Sequence, residues 1–190
     1  MACFGYLLST PFRYPPLKYG SRFGSASEPS LFYGSLCEAT CIAEAGFYRF
    51  IFHQSMSTPP PNPVRTQHSL FTVGFRTAKG VDLCESVYEV DRDKIMAPDD
   101  YAFTHKLGRF LREQGAQCLL YPSARDPERG TNVAIYTPEV FASKEPRSLA
   151  LWQSEVDAAM VTFSAMGVTK AYCFNRAQFA DAMGHLPFAG

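Results

Sequence analysis

Cys118-Leu119-Leu120-Tyr121-Pro122-Ser123-Ala124-Arg125, followed by Gly130-Thr131-Asn132-Val133-Ala134-Ile135-Tyr136, is the stretch whose reading decides the fold. The runs Cys118 to Tyr121 and Asn132 to Tyr136 are apolar and too short for helices. Between them lies the polar segment Pro122 to Thr131, so the two runs read as strands joined by a loop. Just upstream, Phe103, Leu107, Phe110 and Leu111 recur at helical spacing behind Asp99 or Asp100 as a cap, with Gly115 as the stop. Further back, Ser69 to Arg76 and Val81 to Val90 are rich in β-formers and separated by Thr77-Ala78-Lys79-Gly80, which predicts a strand pair. Downstream, Leu151 to Ser154, Ala159 to Ser164 and Lys170 to Phe174 read as antiparallel strands. A helix over Leu151 to Met166 is the alternative, and the β-branched content favours strands.

The N-terminal part has a different texture. Residues 1 to 30 are rich in Pro, Gly, Ser and aromatics, which predicts an extended, loop-like segment. Leu31 to Gly34 follows as a short strand. Ser35 with Glu38 forms a capping-box pattern, and Ile42, Gly46, Phe47, Phe50 and Ile51 then recur at helical spacing, so a helix is expected from about Leu36 to Phe52. Pro59-Pro60-Pro61-Asn62-Pro63 can hold neither a helix nor a central strand and is read as a surface connector. No internal repeat and no break in composition divides the chain. The expectation is one α/β (α+β) domain over residues 1–190, with a mixed, mostly antiparallel sheet and flanking helices.

Composition excludes several classes of function. Eighteen basic and eighteen acidic side chains cancel, so no whole-protein field attracts nucleic acid or an anionic membrane. No apolar run approaches the ~18 residues that span a bilayer. Met1 to Thr10 has no basic stretch ahead of its apolar residues, so no secretory signal is expected and the chain reads as cytoplasmic. Cys3, Cys37, Cys41, Cys84, Cys118 and Cys173 include no C-x-x-C pair and read as reduced thiols rather than as a zinc knuckle or disulfide framework. His53, His68, His105 and His185 lack metal-ligand spacing, so no metal is expected. The glycines form neither a Rossmann nor a P-loop pattern.

Four segments together carry a resemblance. They are Phe12-Arg13-Tyr14, Ser21-Arg22-Phe23-Gly24, Tyr33 with Glu44 beyond it, and Tyr121-Pro122-Ser123-Ala124-Arg125 with Gly130-Thr131-Asn132. They resemble the RES family, named for its Arg, Glu and Ser residues, over roughly residues 11 to 142, with 143–190 as an extension of the same domain. The resemblance implies an ADP-ribosyltransferase-like fold and a bacterial toxin that consumes NAD. The usual Gly-Arg-Trp-Asn-like segment is Ser-Arg-Phe-Gly here, so the Asn of that pattern is missing.

On this resemblance Glu44 is the catalytic carboxylate, and Arg22 and Ser123 act with it. Arg13, Tyr14, Tyr33, Arg125 and Asn132 are the expected binding residues. The chemistry is consistent with those assignments. Cleaving the bond between nicotinamide and ribose leaves positive charge on the sugar, as in glycoside cleavage. That step calls for a carboxylate near the ribose, guanidinium forks for the pyrophosphate and aromatic faces for the nicotinamide. Ser123 has no His beside it in sequence, so its hydroxyl is expected to bind rather than attack.

The implied function is loss of NAD with phosphate or water as acceptor. The implied partner is an antitoxin with a helix-turn-helix domain of Xre type, which blocks the cleft. Two alternatives stand beside it: transfer of ADP-ribose to a metabolic enzyme such as a phosphoribosyl pyrophosphate synthetase, and a non-catalytic binding module of the same fold.

Overall fold

The computed structural model describes residues 4–167 and 169–188. Cys3 lies outside that range. Among the described residues four α-helices, α1 (Tyr6–Arg13), α2 (Glu38–Gln54), α3 (Arg92–Ile95) and α4 (Ala102–Glu113), accompany two four-stranded sheets. The first sheet has the order β1 (Phe32–Ser35), β5 (Thr131–Ile135), β4 (Cys118–Pro122), β3 (Gly80–Asp82); it is antiparallel except for the parallel pair β3–β4. The second is antiparallel throughout, in the order β2 (Val64–Thr72), β6 (Ser148–Val156), β7 (Met160–Ala165), β8 (Ala171–Asn175). The fold is α+β, and the expected mixed sheet is one of two sheets.

The first sheet is covered on both faces, which explains why β4 and β5 read as unbroken apolar runs instead of alternating ones. Leu119, Tyr121 and Ala134 face a cluster that takes in Phe23, Leu31, Leu83 and the apolar stripe Phe103, Leu107 and Leu111 of α4. Cys118, Val133 and Ile135 face the other way, onto Leu8, Phe32, Val140 and Phe141. Helix α2 covers the second sheet: Ile42, Ala43, Phe47 and Phe50 pack on Trp152, Val156, Val161, Phe163 and Phe174. Phe47 and Phe50 are almost fully buried, and each contributes roughly 1.5–3 kcal/mol of transfer free energy.

Four sequence expectations need correction. The segment before residue 14 forms a helix despite Pro11, because Leu8 and Phe12 fall on one face and pack against Phe141 and its neighbours; tertiary burial outweighs local propensity there. The capping box does not form. Helix α2 starts at Glu38 with Cys37 as its N-cap, while Ser35 belongs to β1 and donates from Oγ to Asn132 Oδ1 at 2.6 Å. Glu38 instead pairs with Lys170 at 2.7 Å and accepts from the Tyr172 hydroxyl. The expected pair of strands between Ser69 and Val90 does not pair with itself: β2 lies beside β6, β3 runs parallel to β4, and Ser86–Asp91 is a 3-10 turn. Phe110 is 55% exposed and points away from the core stripe of α4. The three C-terminal strands are present, as is the helix stop at Gly115, whose φ of 80° lies in the left-handed region.

Helix α4 approaches the Ser21–Gly24 turn closely at Gly108. A Cβ at that position would run into the backbone carbonyl of Phe23, which is fixed and cannot yield as a side chain would. Gly108→Ala is therefore expected to destabilise the protein by about 1–3 kcal/mol, the range for overpacking a tight contact. Thermal or urea denaturation checks this; an unchanged midpoint would show that α4 can shift away from the turn.

Candidate active site

The Ser21–Gly24 turn, the edge strand β1 and one stripe of α2 enclose a cavity of about 350 Å³. Its lining includes Arg22, Tyr33, Glu44, Arg125 and Asn132, joined by Tyr19, Ser35, Cys41, Tyr48, Tyr101 and Tyr121. Cys41, Glu44 and Tyr48 stand at helical spacing on α2, so one face of the helix presents all three.

Glu44 is held by two neutral donors. Ser123 Oγ and Asn132 Nδ2 each donate to Glu44 Oε1 at 2.6 Å. Among the described residues none donates to Oε2. Asn132 is fixed in turn by the Ser35 hydroxyl on the neighbouring strand, where Ser35 and Asn132 are in register. The strand reading of the sequence thus explains why residues far apart in the chain meet at one carboxylate.

Ser123 is fully buried and is absent from the cavity lining. Its Oγ accepts from the backbone N–H groups of Arg125 at 3.1 Å and Asp126 at 2.9 Å while donating to Glu44. Asp126 accepts from Thr40 Oγ1 at 2.7 Å, which ties this loop to the first turn of α2. The hydroxyl is therefore committed to Glu44 and the loop and does not face the cavity.

Tyr33 lines the cavity, yet its hydroxyl is engaged. It accepts from the Phe23 N–H at 3.0 Å and shares a hydrogen bond with Ser21 Oγ at 2.9 Å. Burial raises its pKa, as it does for Tyr121, so both phenols stay neutral. The ring is the part of Tyr33 left for a ligand. Arg13 and Tyr14 are not brought to this cavity: Arg13 ends α1 and is exposed, and Tyr14 follows it at 60% exposure.

Arg22 and Arg125 are the cationic groups of the lining. The Arg125 guanidinium lies 3.6 Å from the centroid of the Phe47 ring, buried against α2. Burial lowers its pKa, with the Tyr101 hydroxyl opposing that effect, but arginine starts so high that it remains charged. Cys41 is pushed up, first by burial and then by the charge of Glu44, so its thiol stays protonated at neutral pH and is no nucleophile.

Ser35, Tyr48 and Tyr101 are among the cavity residues that the sequence does not assign to the site. Ser35 fits a cap by spacing, whereas its hydroxyl holds Asn132, which in turn donates to Glu44. Tyr48 had an available signal, since it stands one turn beyond Glu44 on the same face. Tyr101 had none, because only the tertiary fold brings its loop to Arg22. Among the described residues no group of His, Cys, Asp and Glu side chains is arranged to hold a metal ion, and no helix is long and apolar enough to cross a membrane.

Compared with curated proteins, the sequence matches none. The family model described as the RES domain matches residues 3–157, reaching beyond the motif-bearing segments at both ends and taking in α1 and β6. Since the match covers most of the chain, and the Arg22, Glu44 and Ser123 that carried the resemblance gather around one carboxylate and its cavity, the chain belongs to the RES domain family.

Proposed function

We propose that this protein degrades NAD by cleaving the bond between nicotinamide and ribose, as a toxin held in check by an antitoxin that blocks the cavity. The observation that carries the reading is the Glu44 carboxylate, fixed through Oε1 by Ser123 and Asn132 and standing in a cavity with two guanidinium groups and five tyrosines. In the proposed reaction the C–N bond breaks with its electron pair leaving on nicotinamide, and positive charge develops on the ribose. A preorganised carboxylate stabilises that charge without having to reorient. Arg22 and Arg125 make the cavity favourable for the anionic pyrophosphate. A phosphate oxygen, or a water that releases a proton, then bonds to the sugar carbon. We assign the activity to the cytoplasm, where NAD is available.

The test is incubation of the purified protein with NAD, with and without inorganic phosphate, and identification of products by mass. ADP-ribose identifies water as the acceptor, and ADP-ribose phosphate identifies phosphate. A mass gain on a protein would redirect the reading to ADP-ribosyl transfer. No product of any kind would sink the enzymatic reading.

A further inference from the structure

Both cavity arginines serve one loop. Arg22 Nη1 donates to the carbonyls of Ile95 at 2.8 Å and Ala97 at 2.9 Å, and Arg125 Nη2 donates to the carbonyl of Pro98. The face of the Arg22 guanidinium is also taken, lying 4.7 Å from the centroid of the Tyr101 ring. His105, one turn into α4, reinforces the arrangement. Its Nε2–H donates to the Ser21 carbonyl at 2.8 Å, and its ring meets Tyr101 edge to face at 6.1 Å. The turn that carries Arg22 and the loop that carries Tyr101 are thereby clasped together, and Tyr101 is delivered to the cavity that holds Glu44 and Tyr48.

The sequence expectation gave the Arg22 fork to pyrophosphate. The geometry points to a different division of labour: Tyr101 is a substrate-binding residue that packs against the nicotinamide ring, and Arg22 is a positioning residue that sets Tyr101 and the Ile95–Pro98 carbonyls in place. This rests on the NAD reading above. A cavity of about 350 Å³ is at the lower end for ligand sites, with room for one end of a dinucleotide. If Glu44 faces the ribose carbon at which the bond breaks, the aromatic rings beside it meet the nicotinamide before any other part of the substrate. Lysine at position 22 keeps the positive charge but cannot both bridge two carbonyls and stack a planar face on a phenol ring.

The experiment uses two probes that divide the substrate: nicotinamide, which has no phosphate, and ADP, which has no nicotinamide. Binding of each to wild type, Arg22→Lys, Tyr101→Ala and the double variant is followed by ligand-observed NMR. Each single substitution is expected to weaken nicotinamide about three- to tenfold, the scale of one aromatic pair, while ADP stays within about twofold. The double variant is expected to bind nicotinamide no more weakly than the worse single one, because both changes act through one contact. An ADP affinity that falls with Arg22→Lys as far as that of nicotinamide overturns the inference, as do effects that multiply in the double variant. Should Arg22→Lys fail to fold, Tyr101→Ala decides alone, and unchanged nicotinamide affinity in that variant overturns the inference. A wild-type protein that binds neither probe removes the NAD reading and this inference with it.

Discussion

Glu44→Gln is expected to lower NAD turnover by at least ~100-fold while leaving the fold intact, the scale of losing a preorganised electrostatic stabiliser. The separation of activity from stability follows from the hydrogen bonds. Ser123 and Asn132 both donate to the same oxygen, Oε1, and the amide oxygen of glutamine accepts two hydrogen bonds in that place. What disappears is the negative charge, and an NH₂ group stands where the uncommitted Oε2 stood. Glu44→Asp makes the complementary case: it keeps the charge but withdraws the carboxylate by one methylene from both donors, so it too is expected to be impaired. Turnover of NAD measured beside the thermal midpoint of each variant checks the pair. Near wild-type NAD loss in Glu44→Gln would remove Glu44 from the chemistry.

Much of the scaffold around Glu44 was legible because it rests on local signals. The apolar runs of β4 and β5, the polar loop between them, the helical spacing through α2 and the Gly115 stop all follow from residue pattern. The three C-terminal strands were legible for the same reason. The departures arise where long-range packing decides. Helix α1 forms because Leu8 and Phe12 have a partner in Phe141, which no local reading supplies. The spacing of Ser35 to Glu38 fits a cap, whereas in the fold Ser35 is in register with Asn132 on β5.

The candidate site divides along the same line. Glu44, Arg22, Tyr33, Arg125 and Asn132 were named from the family pattern and share one cavity. The pattern did not reveal which of their atoms are already committed to one another. Arg13 and Tyr14, named from the same pattern, stand outside that cavity, and the Phe12 that precedes them is anchored in the core beside Phe141.

Ser123→Ala tests whether this serine works through Glu44. As a simple binding contact, its loss would weaken function by the ~0.5–1.5 kcal/mol of one neutral hydrogen bond and leave stability alone. The structure leads to a larger and mixed effect. Ser123 is fully buried, and its hydroxyl is the acceptor for two backbone N–H groups as well as a donor to a carboxylate. Alanine leaves those N–H groups without that acceptor, which is expected to cost about 1–3 kcal/mol of stability, read as a lowered denaturation midpoint. Hydrogen bonds to charged groups contribute about 1.5–3 kcal/mol, so turnover is expected to fall roughly ten- to a hundredfold as Glu44 loses one of its two supports. The decisive measurement is the double variant. If Ser123 acts only by holding Glu44, then Ser123→Ala added to Glu44→Gln should lower turnover little beyond Glu44→Gln alone, because the supported charge is already gone. Additive losses would assign Ser123 a role of its own. An ADP-ribosyl adduct on Ser123 that forms and decays during turnover would make that role nucleophilic, against a geometry in which the hydroxyl is shut away from the cavity and its proton is directed at Glu44.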